Sequence, residues 1–271
     1  MNAHITQAGR ELTVDLTRGV SLAIPLDFDG PQPRHFGAPR ARRQPFAVPG
    51  FSGSVAEGAS CNCSVVTLIP HCQGTHTECV GHLTRERHDA WRVVPLGLLP
   101  ALLVSLNPER ASDSPEGTDP LPLPGDLLIT ARALERVWPK ALPLEPQALI
   151  IRTLPNTADK RSRDYSDVVP PYLSREAAEL LLARGISHLV VDVPSIDRAH
   201  DEGRLTAHRL FFGLAPGESG LEAARRAAAT VTELAFVPNE LADGAYLLQL
   251  QVPELAGDAV PSRPLLYPLR G

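Results

Sequence analysis

The sequence has 271 residues, a formal net charge of −5 and 43% hydrophobic residues, values that are ordinary for a soluble globular protein. The weak acidity offers no basic surface for a nucleic acid, and no stretch stays apolar for the ~20 residues that a membrane span needs. The N-terminus lacks a basic region followed by a long apolar run, so we expect no secretory signal and a cytoplasmic location. These properties argue against nucleic-acid and membrane partners.

The first third of the chain combines strand signals with a proline-rich segment. The 27 prolines of the chain predict many short elements joined by ordered turns, and they argue against a helix bundle. Residues 11–16 alternate polar and apolar side chains, as a half-buried strand does. The Pro/Arg-rich segment 31–49 predicts a long ordered loop or arm. The β-branched run 64–69 predicts a strand that stops at Pro70.

The middle of the chain alternates strand and helix patterns. Strands are predicted at 101–106, 126–130 and 148–152, and a helix is predicted at 131–138. A clearer unit follows, in which Ser174 is an N-cap, Gly185 ends a helix and 188–193 forms a buried strand. A strand, a helix and a second strand in this order imply a right-handed crossover and a parallel pair.

The last part of the chain predicts another strand at 245–250, and segment 213–229 is predicted to be an insertion that contains a helix-prone stretch at 221–229. There is no internal repeat and no change in composition that marks a linker. The sequence therefore predicts an α/β fold, with a mixed sheet and helices, in a single domain spanning 1–271.

The most informative segment lies between positions 71 and 82, where three histidines, two cysteines and one glutamate occur. Cys72, His76 and Glu78 offer a thiolate, an imidazole and a carboxylate, which are the three ligand types that zinc accepts. Three protein ligands and an open position are typical of catalytic zinc, which lowers the pKa of its bound water to roughly 7. His82 is then close enough to act as a base or a proton shuttle.

Two alternatives do not involve a catalytic metal. The histidines of this segment can be ordinary structural residues, in which case there is no metal. The four cysteines can also form a structural zinc site with four thiolates, although the single residue between the first two is a tighter spacing than usual: Cys61, Cys63, Cys72 and Cys79.

Segment 72–82 reads Cys-x-Gly-Thr-His-x-Glu-x-Val-x-His, and it resembles the motif His-x-Gly-Thr-His-x-Asp-x-Pro-x-His of the cyclase superfamily. This superfamily includes bacterial kynurenine formamidases and isatin hydrolases. Further resemblance follows in chain order, from Asp-Leu-Thr at 15–17 through Asp-Val-Pro-Ser-Ile-Asp at 192–197 and Thr-Ala-His at 206–208 to Thr-Glu-Leu at 232–234. The resemblance covers nearly the whole chain and implies the swivelling β/β/α fold of that family.

The resemblance also implies a set of site residues. Its metal-ligand positions fall on Cys72, His76, Glu78, His208 and Glu233. The last histidine of the motif, which is thought to shuttle protons, is His82, and His208 is the later histidine that helps to hold a second metal or assists catalysis. Cys72 replaces a histidine and would favour zinc over manganese, and Glu78 is one methylene longer than the usual aspartate. We therefore expect one or two ions of Zn²⁺, with Mn²⁺ as the alternative.

The activity implied by the resemblance is that of a metal-dependent amidohydrolase, similar to arylformamidases, that acts on C–N bonds other than peptide bonds. A metal-activated water would cleave a small-molecule substrate, either an N-formyl aryl amide or a cyclic amide. Family members are usually oligomers, so a homodimer or a homotetramer is expected. The alternatives are a catalytically silent member that binds a small molecule, and a protein with a purely structural zinc.

Other charged residues have plainer interpretations. Asp192 ends a buried strand and is interpreted as a structural hydrogen-bond acceptor, while Asp197 is expected to fix the loop that presents His208. Arg152 either orients a substrate carboxylate or forms a salt bridge at the end of its strand. The remaining histidines considered are interpreted as core, structural or solvated residues: His71, His88, His188 and His200.

Overall fold

The computed structural model describes residues 1–7 and 10–270, and its largest unit is an 11-stranded mixed sheet. Its strands in chain order are β1 Asn2–Gln7, β2 Arg10–Asp15, β3 Val20–Ser21, β4 Arg42–Pro45, β5 Ala47–Val48, β6 Phe51–Ser52, β7 Ser64–Thr67, β8 His76–Glu78, β9 Leu99–Leu106, β10 Glu109–Arg110, β11 Leu127–Ile129, β12 Ala148–Thr153, β13 Tyr172–Leu173, β14 His188–Val191, β15 Thr230–Glu233, β16 Gly244–Gln251, β17 Ala259–Pro261 and β18 Arg263–Arg270. The α-helices in the same residues are α1 Ala90–Val93, α2 Ala131–Val137, α3 Arg175–Ala183 and α4 Thr206–Phe212.

The strand order explains where a site can form. The large sheet runs β1-β2-β18-β16-β9-β12-β14-β15-β8-β17, with β3 paired to β18. The four central strands β9, β12, β14 and β15 are parallel, and β8 and β17 extend the sheet in antiparallel fashion. The carboxyl ends of the parallel strands therefore meet at one edge, which is the usual place for a site in an α/β sheet.

Strands β9, β12 and β14 are mostly apolar and buried because both faces of the sheet are covered. On β12, Leu149 and Ile151 pack into the cluster formed with α2, α3 and α4, whereas Ile150 packs into a second cluster on the opposite face. This arrangement confirms the predicted α/β class. No described helix has the length and hydropathy that a membrane span requires.

The unit around α3 follows the sequence-based prediction closely. The Ser174 hydroxyl accepts a hydrogen bond from the Ala177 amide at 2.9 Å, as an N-cap does, and Gly185 follows the helix with a φ of +71°. β12 and β14 pair in parallel, as the crossover predicts.

The predicted helical stretch at 221–229 is wrong. Only Leu221–Ala223 is helical there, as a single 3₁₀ turn. The amides of Arg225 and Arg226 instead donate to the carbonyls of Gly213 and Phe212, both at 3.2 Å, where α4 ends. Tertiary hydrogen bonds thus replace the local ones that the helix propensity of alanine and glutamate would favour.

The proline-rich segment 31–49 is partly regular. Its strand β4 pairs with β7, and β5 pairs with β6, so the segment ends in two small antiparallel ribbons. The predicted strand at 64–69 is thus present as β7, but all residues of β4 and β7 are exposed. This strand therefore pairs with the arm and not with the core sheet.

Candidate metal centre

The centre is built on β8, which lies between β15 and β17. Successive side chains of a strand point to opposite faces, so His76 and Glu78 share one face while Thr77 points to the other. His76 lies opposite Glu233 in the register of β8 with β15. On the opposite face, Thr77 and Thr232 are joined by a hydrogen bond of 2.7 Å between their hydroxyls. The pairing of β8 with β15 therefore brings three ligand-type side chains to one place.

The motif glycines are required by the backbone around β8. Gly74, directly before the strand, has a φ of +71°, which other residues rarely adopt. A Cβ at Gly81 would lie 2.4 Å from the carbonyl oxygen of His88. The loops on either side of β8 can therefore close tightly around the ligand positions.

Four buried side chains form the deepest part of the centre, which we call the floor group: His76, Glu78, His208 and Glu233. Each is at most 3% exposed. The His208 Nε2 atom lies 2.6 Å from Glu78 Oε1 and 3.5 Å from Glu233 Oε1, and His76 Nε2 lies 3.4 Å from Glu233 Oε2. The ligand atoms of His76, Glu78 and Glu233 all lie within 4.8 Å of one another.

Both floor histidines are oriented through their Nδ1 atoms. His76 Nδ1 lies 3.2 Å from the Gly74 carbonyl oxygen, and His208 Nδ1 lies 2.7 Å from Asp197 Oδ2. Asp197 also accepts the amides of Ala207 and His208, so it fixes the start of α4 as well as the ring. A histidine held in this way presents Nε2 to the opposite side, as metal-binding histidines do.

The unpaired atoms of the floor group fit a cation. His76 Nε2, His208 Nε2 and Glu78 Oε1 are buried without a hydrogen-bond partner. These histidines and carboxylates approach one another closely, but their contacts do not have hydrogen-bond geometry. Buried polar atoms without partners are costly unless an ion or a water satisfies them. Two imidazoles and two carboxylates suit a divalent metal such as zinc or manganese.

The charge state of the floor group also fits a bound cation. Burial raises the pKa of Glu78, but the charges of His208 and His82 outweigh burial and leave the pKa lowered. For Glu233, burial is likewise outweighed by the contacts with His208 and His76, which lower the pKa. Burial lowers the pKa of His208, but Glu78 and Asp197 raise it well above its usual value. The positive charge of the neighbouring histidines thus keeps the two buried carboxylates ionised, which is the form in which a carboxylate binds a cation.

Above the floor lies a second group, which we call the rim: His71, His82 and Asp258. Their side chains are 27%, 29% and 37% exposed. Asp258 Oδ2 lies 2.9 Å from His71 Nε2 and 3.4 Å from His82 Nδ1. The rings of His71 and His82 stack with centroids 4.5 Å apart. The close approach of the two histidines holds the pKa of Asp258 far below its usual range.

The structure thus brings together four predicted ligands, His76, Glu78, His208 and Glu233, with His82 at the rim. Cys72 is placed differently. It lies outside both ligand groups that the described residues form, its carbonyl accepts the His35 amide at 3.1 Å, and burial together with the charge of Glu233 raises its thiol pKa. A thiol that keeps its proton is a poor ligand. A ligand role for Cys72 stays a prediction.

The alternative of four thiolates around a structural zinc is not assembled in the described residues. All four cysteines are free, and Cys61 and Cys63 are exposed. The Cys79 thiol is buried and donates to the carbonyl oxygen of His88 at 3.2 Å. None of them belongs to a ligand group within the described part of the chain.

Two residues of the centre escaped the sequence-based prediction. His71 was interpreted as structural or solvated, but its Nε2 lies 3.5 Å from Glu78 Oε2, within the ligand group of His71, Glu78 and His82. Its position next to the motif was the only signal that could have included it. Asp258 precedes β17, and only the pairing of β17 with β8 brings it near the motif. No local spacing in the sequence reveals that contact.

The other charged residues take structural roles. Lys160 Nζ lies 2.8 Å from Asp192 Oδ2, and the amide and hydroxyl of Thr153 donate to the same carboxylate at 2.9 Å. Arg152 pairs with Asp243 at 3.1 Å. Asp192 is thus a hydrogen-bond acceptor, and Arg152 forms a salt bridge.

Solved structures with a similar fold include a potential metal-dependent hydrolase and isatin hydrolases. A potential metal-dependent hydrolase with cyclase activity aligns with a TM-score of 0.59 and 17% identity over 92% of this chain and 97% of its own. An isatin hydrolase bound to the product analogue thioisatinate aligns with a TM-score of 0.57 and 17% identity over 93% of both chains. Isatin hydrolase A from Ralstonia solanacearum gives 0.58 and 14%, over 92% of this chain and 91% of its own. At these identities the likeness establishes the fold.

The family follows from the sequence match. Residues 11–198 match the family model Cyclase, described as "Putative cyclase", so the chain belongs to the cyclase family. The matched range includes β8 and the rim histidines, whereas His208, Glu233 and Asp258 lie beyond it. A search of curated protein sequences found no match.

Proposed function

We propose that this chain is a metal-dependent hydrolase that cleaves an amide C–N bond, other than a peptide bond, in a small molecule. The observation that carries the proposal is the floor group, in which buried, unpaired atoms of His76, His208 and Glu78 lie close to the Glu233 carboxylate. Structural zinc sites mostly consist of cysteines, or of cysteines with histidines. A set with two carboxylates is more typical of catalytic metal centres.

The floor residues would hold the ion, and the rim would handle protons. A divalent ion at such a site lowers the pKa of its water to roughly 7 and polarises the carbonyl group of a substrate. His82 is the histidine best placed to accept the proton of the attacking water, because its partly exposed ring stands above the floor, 5.7 Å from the His208 ring between centroids. Asp258 faces His82 Nδ1 and orients its ring.

Hydrolysis needs a proton to return to the leaving nitrogen. Water adds its oxygen to the carbonyl carbon, the C–N bond breaks, and His82 gives the proton to the nitrogen, so that an acid and an amine are formed. The choice of an amide is supported by the structural relatives, since isatin is a cyclic amide and two of those relatives are isatin hydrolases. N-formyl aryl amides, such as N-formylkynurenine, are the second substrate class to test.

The first experiment measures metal content per chain by elemental analysis of protein purified without added metal. Wild type is expected to hold zinc, or manganese, at one ion or more, and His76→Ala is expected to lose the floor ion because it removes a donor. Cys72→Ser should keep the metal, since the thiol lies outside both ligand groups. His4→Ala removes an exposed histidine on β1 and is the matched control.

The metal-loaded wild type is then assayed with isatin and N-formylkynurenine, before and after metal removal with a chelator. Turnover of either compound that disappears with the metal and returns on its addition supports the proposal. Metal without turnover on a broad amide panel would instead point to a silent member that binds a small molecule. A metal content unchanged in His76→Ala would contradict the floor assignment itself.

A further inference from the structure

The strand that carries Glu233 ends in a kink at the next residue. Leu234 has a φ of +51°, a left-handed conformation in which the Cβ atom of an ordinary residue crowds the following carbonyl oxygen. The amides of Leu234 and Ala235 both donate to carbonyl oxygens on the β14 side, at 2.9 and 3.0 Å, whereas consecutive amides of a regular strand point to opposite neighbours. Local departures of this kind re-aim side chains next to functional sites.

The hydroxyl of Thr75 bonds to this kink. Thr75 Oγ1 donates to the Leu234 carbonyl oxygen at 2.5 Å and accepts the Ile24 amide at 2.9 Å. Thr75 and Leu234 are only 5% and 1% exposed, so loss of the hydroxyl would leave a buried carbonyl and a buried amide without partners, which is costly. A change of conformation at Leu234 would turn its carbonyl away from Thr75. The hydroxyl therefore stabilises the left-handed conformation.

The position of Glu233 depends on the same kink. Glu233 Oε1 accepts the Ile196 amide at 2.7 Å, and Oε2 lies 3.4 Å from His76 Nε2. Because Glu233 directly precedes Leu234, a change of conformation at Leu234 would rotate the peptide between the two residues and displace the Glu233 main chain. Binding groups must be held within about 0.5 Å of their productive geometry, so such a displacement would disturb the floor group.

We infer that Thr75 is a positioning residue, which sets the place of the Glu233 carboxylate in the floor group by holding Leu234 in its left-handed conformation. The inference rests on the proposed function in one respect, namely that Glu233 is a ligand of the floor ion. Thr75 directly precedes His76 and bonds to a residue 159 positions away. One short segment thus supplies one donor to the floor and fixes the position of another.

The first test compares the zinc affinity of full-length variants by competition with a chelator. Thr75→Val keeps the size of the side chain but removes both hydrogen bonds, and zinc binding is expected to weaken about tenfold, since the supports of metal ligands contribute on that scale. Thr75→Ser keeps the hydroxyl and should bind zinc as wild type does. Thr77→Val is the matched control, because Thr77 is also buried on β8 but bonds to Thr232 on the opposite face. It should lower stability and leave zinc affinity unchanged.

A second pair of variants tests whether the conformation at position 234 carries the effect. Leu234→Gly and Leu234→Ala leave nearly the same cavity, but only glycine adopts a positive φ without steric cost. Leu234→Ala is therefore expected to bind zinc more weakly than Leu234→Gly, and Thr75→Val is expected to weaken binding less in the glycine background than in the alanine background. Equal affinities in the two single variants would show that Thr75 does not act through Leu234, even if Thr75→Val fails to fold.

Crystal structures of metal-free wild type and Thr75→Val separate this inference from the proposed function. In the variant, Leu234 is expected to leave the positive φ region and Glu233 to lose the Ile196 amide. A variant that keeps both features, or that binds zinc as tightly as Thr77→Val, would overturn the positioning role. The expected rearrangement in the variant, together with a wild type that hydrolyses no amide in the panel, would leave the role standing and remove the proposed function.

Discussion

Buried titratable groups are neutral at the amino end of strands β14 and β15 and ionised at the carboxyl end. At the amino end, the His188 Nδ1 atom lies 2.9 Å from the Thr230 hydroxyl, and burial, helped by the charge of Arg226, lowers the pKa of His188 to about 4. At the carboxyl end, Glu233 is buried even more deeply, but its contacts with His208 and His76 keep it ionised. Burial alone therefore drives these groups towards neutrality, and only converging opposite charges preserve ionised groups.

The two ends of the sheet differ in whether their buried polar groups are satisfied. The amino end has a satisfied neutral pair, while the carboxyl end gathers the carboxylates Glu233 and Asp192 with their cationic partners. Asp192 is matched by Lys160 and has no orphaned oxygen, whereas the floor group keeps unpaired atoms. A charged pair with all its hydrogen bonds made is a structural feature, and a charged group with unpaired atoms indicates a ligand. Three substitutions probe this contrast.

The largest effect is expected from Lys160→Met. The substitution leaves the Asp192 carboxylate buried without its counter-charge, so the free energy of unfolding should fall by about 3–5 kcal/mol. Urea denaturation at pH 7 measures the loss. Arg43→Met is the matched control, because it breaks a well-exposed pair with Asp29 and should cost about 1 kcal/mol or less. Equal losses in the two variants would show that burial of the pair formed by Lys160 and Asp192 does not increase its contribution to the free energy of unfolding.

Asp197→Asn is expected to have an intermediate effect on metal affinity. The amide no longer provides the charge that fixes the His208 ring, so zinc affinity should fall by roughly 10–100-fold. Competition with a chelator measures the change. Asp201→Asn is the control, since Asp201 lies on the same loop and accepts the backbone amides of Gly203 and Leu205. An affinity that falls equally in both variants would indicate loop loosening instead of loss of His208 orientation.

The smallest effect is expected in the pH dependence of stability, through His188 at the amino end of β14. The pKa of His188 is about 4 in the folded state, against 6.5 for an unperturbed histidine, so the unfolded state takes up the proton first as the pH falls. The stabilising contribution is complete above pH 6.5 and is lost progressively down to about pH 4. Between pH 7 and pH 5 the loss should be roughly 2 kcal/mol.

His188→Gln tests that expectation, because glutamine has no proton to gain in this range. The free energy of unfolding is measured by urea denaturation at pH 7 and pH 5 for both proteins, and the difference between the two pH values should shrink by roughly 2 kcal/mol in the variant. Titration of the metal centre affects both proteins alike and cancels in the comparison. An unchanged pH dependence would mean that His188 is accessible to protons in the folded state.

Much of the fold could be predicted from the sequence because its core strands are long apolar runs. β9, β12 and β14 were expected at nearly the observed positions, as was α3 with its Ser174 cap. Such elements are determined by local periodicity and capping, which a sequence displays directly. The exposed strand β7 has the same β-branched composition, and composition alone did not reveal that its partner is the arm.

The sequence predicted those residues of the centre that lie close together in the chain or match the motifs of the family. His76 and Glu78 lie within one short motif, and Asp197 was correctly expected to fix the loop that presents His208. Asp258 could not be found, because its approach to His71 depends on the pairing of β17 with β8. His71 was excluded by treating the motif as the limit of the site. Both residues belong to the site through tertiary structure alone.

The pairing of β8 with β15 also has a consequence for how the chain folds. The hydrogen-bonded residues Thr77 and Thr232 are 155 positions apart, so most of the polypeptide must be in place before these two strands meet. Contacts between such distant segments form slowly, because the entropy of loop closure is lost before any contact is gained. The unfolded chain consequently has no floor group to offer an ion. A cation at 1,000 times its Kd stabilises the completed fold alone, by about 4.1 kcal/mol.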